Sequence, residues 1–204
     1  MNANRIRKFL KVALALAVCL VIPLGLSACA NEEQAIKSTL SQEFDALKDP
    51  TNENLKKYLG DDIDSDANFQ QLSDYGIDPY DFLGHLFKHF DYKIGEVKVD
   101  GDTATVQVTL TNVDVGKIVK GASDEYMSSK SQEELLDLYA QGGENAIMQD
   151  VFKAVYEKLD SATDTKSTDV TLKLTKSDNE WSLDSQSEDD LVNAAFGGAD
   201  FSSL

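Results

Sequence analysis

The sequence predicts an α+β protein whose curved antiparallel sheet of about four strands is covered by N-terminal and inserted helices. Three observations carry that expectation. Apolar residues recur at steps of three and four up to Phe90, the period drops to two from Tyr92, and two short turn signals split the alternating stretches into hairpins. An antiparallel sheet with one apolar face needs a cover, and amphipathic helices supply it.

The elements follow in chain order. Ala35, Ile36, Leu40, Phe44 and Leu47 mark a helix over 32–48, ended by Asp49, Pro50 and Thr51. A shorter piece carrying Leu55, Tyr58 and Leu59 is expected to stop at Gly60, with the acidic stretch 61–66 as a loop. Phe69, Leu72 and Tyr75 suggest another turn or two. Asp78 then stands as an N-cap before Pro79, opening a helix with Phe82, Leu83, Leu86, Phe87 and Phe90 on one face.

From Tyr92 onward, Val97 and Val99 alternate with Glu96 and Lys98, and Ala104, Val106, Val108 and Leu110 alternate with polar neighbours beyond Asp100 and Gly101. With those two at the centre of the turn, Val99 falls opposite Asp102 and Val97 opposite Ala104. Segment 113–130 has no firm period and is open between loop and short helix. Ser131 and Glu134 fit a capping box; Gly142 and Gly143 interrupt the helix it opens, which resumes through Ile147, Val151, Phe152, Val155 and Leu159. Residues 161–167 read as a polar linker. Val170, Leu172 and Leu174 form a strand that turns at Asp178 and Asn179 and returns through Trp181 and Leu183, with Leu174 opposite Leu183 and Trp181 in the core. Ser187 caps a last helix that Gly197 and Gly198 stop. The helices between the hairpins, about 113–160, are an insertion in a single domain spanning 29–204.

Ahead of this body, Arg5, Arg7, Lys8 and Lys11 precede an apolar run from Val12 to Leu26. A basic start followed by an apolar run of this length is a signal peptide's pattern, and the run falls short of the roughly 20 residues of a spanning helix. It ends in Leu26, Ser27, Ala28 and Cys29, which resembles the lipobox of bacterial lipoproteins. The resemblance implies that residues 1–28 are a signal peptide removed on export and that the Cys29 thiol carries a diacylglycerol. The body would then sit on the outer face of the cytoplasmic membrane, anchored but not spanning. Cys19 lies in the discarded run, so no free thiol would remain for a disulfide or a nucleophile.

The 204 residues include 36 acidic and 19 basic side chains, a formal net charge of −17. Losing residues 1–28 removes four basic side chains and no acid, leaving 15 against 36, or −21. A surface so acidic repels nucleic acid, which rules out that partner class. The acids read first as solvation for an extracytoplasmic protein. Asp61, Asp62, Asp64 and Asp66 lack the glycine and terminal glutamate of an EF-hand loop.

Asp81, His85 and His89 fall at steps of four. On one helix they form a stripe that could hold a metal, although ordinary residues at the edge of the apolar face fit the same spacing. They include the only two histidines. Neither a glycine-rich phosphate loop nor a G-x-S-x-G nucleophile motif is present, and no cofactor is expected.

Residues 97–110 (VKVDGDTATVQVTL), 172–183 (LKLTKSDNEWSL) and 191–198 (LVNAAFGG), in this order behind a lipobox, resemble Gram-positive lipoproteins of unknown function with cystatin-like or NTF2-like domains. Such folds commonly enclose a pocket between sheet and helices, and some relatives, ketosteroid isomerase among them, are enzymes. None of their catalytic motifs maps onto this sequence. The resulting expectation is a lipid-anchored binding or interaction module for a small molecule or an envelope protein. The runners-up are an NTF2-like enzyme using carboxylate and tyrosine groups, and a metal-binding lipoprotein.

Overall fold

The computed structural model describes residues 29–178 and 180–199. The expected signal peptide, the turn residue Asn179 and the side chains of Cys29, Tyr58, Leu59, Asp61 and Asp62 lie outside the described part. The chain runs through α1 (Cys29–Lys48), α2 (Asn52–Ser65), α3 (Ala67–Asp74), α4 (Pro79–Leu86), β1 (Asp91–Asp100), β2 (Thr103–Val113), α5 (Val115–Ser129), α6 (Gln132–Ser161), β3 (Thr165–Ser177), β4 (Glu180–Leu183) and α7 (Ser185–Ala195). The four strands form one antiparallel sheet in the order β1-β2-β3-β4. The class is α+β, as the change of period predicts.

Alternation along the strands builds the core. Ala104, Val106, Val108 and Leu110 of β2, Val170, Leu172 and Leu174 of β3, and Trp181 and Leu183 of β4 are all buried. The residues between them face solvent, as expected for an antiparallel sheet covered on one side. The outer face is held by polar cross-strand pairs: Thr109 donates to Asp169 (2.7 Å) and Thr171 to Gln107 (3.1 Å).

Ile36, Leu40, Phe44 and Leu47 form the buried stripe of α1, which packs on β1. There Phe44 meets Tyr92 with ring centroids 5.1 Å apart, and the Tyr92 hydroxyl donates to Asp45 (2.7 Å). Phe87 lies 5.4 Å from Phe196 and 5.7 Å from Phe90, closing the core across the sheet. Each such buried side chain stabilises the fold by about 1.5–3 kcal/mol.

Several expectations are corrected. The first hairpin pairs Asp100 with Thr103, Val99 with Ala104 and Val97 with Val106, so Gly101 and Asp102 are the central turn residues, in place of Asp100 and Gly101. Gly101 has φ +60°, which suits the first central position of a type II′ turn, where glycine is favoured. The slip amounts to two residues along β2, and with a side-chain period of two every apolar residue keeps its face. A bulge between Ile94 and Val97 absorbs the remaining offset. The second hairpin has the expected register, with Leu174 opposite Leu183.

Gly60 does not stop α2, and the acidic stretch is largely helical, to Ser65. Segment 113–130 resolves into α5. The linker is shorter than expected, since β3 begins at Thr165 and its outer end pairs with β2. The cap of α7 is Asp184, whose carboxylate accepts from the Ser187 amide (2.7 Å). Ser187 is buried instead, and its hydroxyl accepts from the Lys173 amide of β3 (2.9 Å). Asp78 and the Ser131–Glu134 capping box are formed as expected.

Candidate functional site

Asp114 accepts from the Lys117 amide (2.9 Å) and so caps α5. Val115, Val119, Ala122 and Tyr126 then turn inward at steps of four, three and four. The next stripe of α5 lines a groove of about 600 Å³, closed on its other sides by the last turn of α6 and the start of β3. That volume is within the usual range for ligand sites. Its lining combines apolar Ile118, Ala122 and Ala162 with the lysines Lys117, Lys158 and Lys166. Lys158 bridges to Glu125 across the groove (2.8 Å). Lys117 and Lys166 make no ion pair among the described residues. Asp114, Glu125 and Asp164 line the same groove, so three lysines and three carboxylates leave it near neutral in a chain with 36 acids against 19 bases.

Asp81, His85 and His89 are not brought together. The helix that was to carry them ends at Leu86, one turn short of His89. Asp81 accepts from Asn52 (3.2 Å), His89 Nε2 lies 3.0 Å from the Leu159 carbonyl oxygen, and His85 Nδ1 lies 2.7 Å from Asp160. Among the described residues no three metal-ligating side chains gather.

What the two histidines do is hold the end of α6. His85 stacks on Tyr156, ring centroids 3.9 Å apart, while Lys88 takes the second oxygen of Asp160 (2.9 Å). Burial pushes the Asp160 carboxyl up, but the hydrogen bonds from His85 and Lys88 outweigh it and leave it below the usual carboxylate value. Burial, helped by Asp81 and Asp78, pushes the Tyr156 phenol well above its ordinary value. Both oxygens of Asp160 are thus occupied, and the cluster is a clamp between α6 and the α4 end. Sequence reading missed it because Asp160 stands 75 positions from His85, a separation that no local spacing encodes.

At the other end of the sheet, α1 begins at Cys29. Glu32, three residues on, is bound by Lys176 of β3 (2.9 Å), and both side chains are mostly buried. The Lys176 amide donates to the Asp102 carbonyl (2.8 Å), so the start of α1 sits beside both hairpin turns. The groove lies at the opposite end, where Val113 pairs with Thr165. The eleven residues of β2 between them span about 35 Å.

Fold and groove together define an α+β protein with an open, one-side-covered sheet and a surface groove lined by both lysines and carboxylates. Among known proteins, no family model and no curated protein matches the chain. A solved structure is similar to it: that of YcdA, a candidate lipoprotein of Bacillus subtilis subsp. subtilis str. 168, with 22% identity and a TM-score of 0.43 over 76% of this chain and 54% of that one. The chain therefore spans about half the length of that protein.

Proposed function

We propose that this chain is a bacterial lipoprotein whose α+β body is a binding or interaction module, held by a lipid on Cys29 at the outer face of the cytoplasmic membrane, with the α5–α6–β3 groove as its binding surface. The observation that carries the reading is Leu26-Ser27-Ala28-Cys29 at the end of a basic-then-apolar leader. The position of α1 supports it: only Ala30 and Asn31 separate Cys29 from Glu32, which Lys176 fixes to the sheet. Two acyl chains, at about 0.8 kcal/mol per buried methylene, make a lasting anchor. No helix among the described residues is long and apolar enough to cross a membrane.

A binding role fits the core better than an enclosed catalytic cavity does. The apolar face of the sheet is packed with buried Trp181, Phe87 and Phe196, and the accessible groove lies at its end. The affiliation with cystatin-like or NTF2-like domains rests on the order of helices and hairpins.

The test is Cys29→Ser in the full-length chain. Palmitate labelling should disappear, and the protein should either accumulate with its leader or leave the membrane fraction. A correctly cleaved Cys29→Ser protein that stays with the membrane through an alkaline wash would contradict the proposal.

A further inference from the structure

Beyond α7 the chain runs along the wall of the groove. Gly197 and Gly198 close that helix, both in the left-handed region with φ +72° and +70°. Neither has room for a side chain. A Cβ on Gly197 would run into the Val113 carbonyl oxygen and lie 2.9 Å from the Asp114 amide nitrogen, and one on Gly198 would lie 2.6 Å from Lys166 Nζ. Asp114 and Lys166 both line the groove, so the chain leaves α7 in contact with two groove-lining residues. Ala199, 2% exposed, is fixed there.

Asp200, Phe201, Ser202, Ser203 and Leu204 follow, outside the described part. Five residues reach about 17 Å when extended, and Phe201 comes only three positions after Gly198. Two of the five are large and apolar, and the groove offers them Ile118, Ala122 and Ala162. Charge does not select an occupant for a groove that is near neutral. Connectivity does: a segment joined to the groove wall by a short link is present at millimolar effective concentration, so even a weak apolar contact is populated.

We propose that residues 200–204 fold back into the α5–α6–β3 groove of their own chain, with Phe201 against Ile118, Ala122 and Ala162 and Asp200 beside Lys166. The contact is autoinhibitory, since any other ligand of the groove has to displace it. The docking itself depends neither on the anchor nor on the groove having a second ligand.

Gly121 lines the groove, and a Cβ on it meets nothing within 4 Å, so Gly121→Cys places a probe there without displacing a neighbour. Its reaction with a water-soluble maleimide, followed on its own peptide by mass spectrometry, would be compared in the full-length chain with and without Phe201→Ser and Leu204→Ser. The chain carrying both serines should react at least about tenfold faster, the protection expected from one buried aromatic side chain. A second measurement pairs Ser202→Cys with Gly121→Cys in one chain and with Asn193→Cys in another, each oxidised with copper phenanthroline. Asn193 is exposed on α7, does not line the groove, and its carbonyl accepts from the Gly198 amide (2.8 Å). Without docking, the intrachain disulfide would favour this nearer position. The expected result is a faster disulfide with Gly121→Cys, and loss of that preference in Phe201→Ser. Equal maleimide rates, or a disulfide that forms as readily with Asn193→Cys, would overturn the proposal while leaving the groove as a binding surface.

Discussion

Asn112 shows how much one polar side chain can hold. It is fully buried at the end of β2, and its amide nitrogen donates to the carbonyls of Leu86 (3.1 Å) and Ala195 (2.9 Å), the last residues of α4 and α7. Two helix ends would otherwise leave orphan carbonyls in the core. Asn112→Ala removes both donors and should destabilise the protein by about 2–4 kcal/mol, read as a lower urea midpoint at unchanged slope. An unchanged midpoint would show that water replaces the side chain. Residue-level features tied to local spacing were legible in the sequence: Asp78 before Pro79, Ser131 with Glu134, and Trp181 in step with Leu183. Features that depend on distant partners were not. Asn112 has the strand parity of a core residue, but its partners lie 26 and 83 positions away. His89 misled because a four-residue spacing implies a shared face only while the helix continues.

At the scale of elements, both hairpins could be read from alternation and turn residues. The first came out two residues out of register because Asp100-Gly101 and Gly101-Asp102 are both competent turn centres. Composition argued for a loop at 61–66, yet tertiary partners favour helix: the Tyr80 hydroxyl donates to Asp64 (2.8 Å), and α2 buries Leu55. The junction of α5 and α6 makes a pH prediction. Asp150 accepts from Lys130 (3.0 Å) and Tyr126 (2.9 Å), and these bonds hold its carboxyl below the usual value. Burial, then the bond to Asp150, pushes the Tyr126 phenol up to about 12. A depressed carboxyl contributes stability above its unfolded pKa, about 3.9, and loses it as pH falls through the lower folded value. The raised phenol contributes below about 10 and loses its share as pH rises through about 12. Asp150→Asn should therefore flatten both limbs of the stability profile in urea unfolding measured across pH. A variant curve parallel to the wild-type one would refute the assignment.

For the whole molecule, the groove was the least legible feature. Lys117, Lys158 and Lys166 come from a helix start, a helix end and a strand start, and only the path of the chain through α5, α6 and β3 gathers them. Net charge, by contrast, is a sum over the sequence and needs no fold. Together they describe an acidic body with a groove of balanced charge, set about 35 Å along the sheet from the end where α1 begins. If Cys29 is anchored, that geometry directs the hairpin turns toward the membrane and the groove away from it. The central claim is the lipid, and the most direct measurement is mass spectrometry of the N-terminal peptide from membrane-derived protein. A peptide beginning at Cys29 with a diacylglycerol on its sulfur is expected; a bare Cys29, or a chain that keeps residues 1–28, would contradict the anchor.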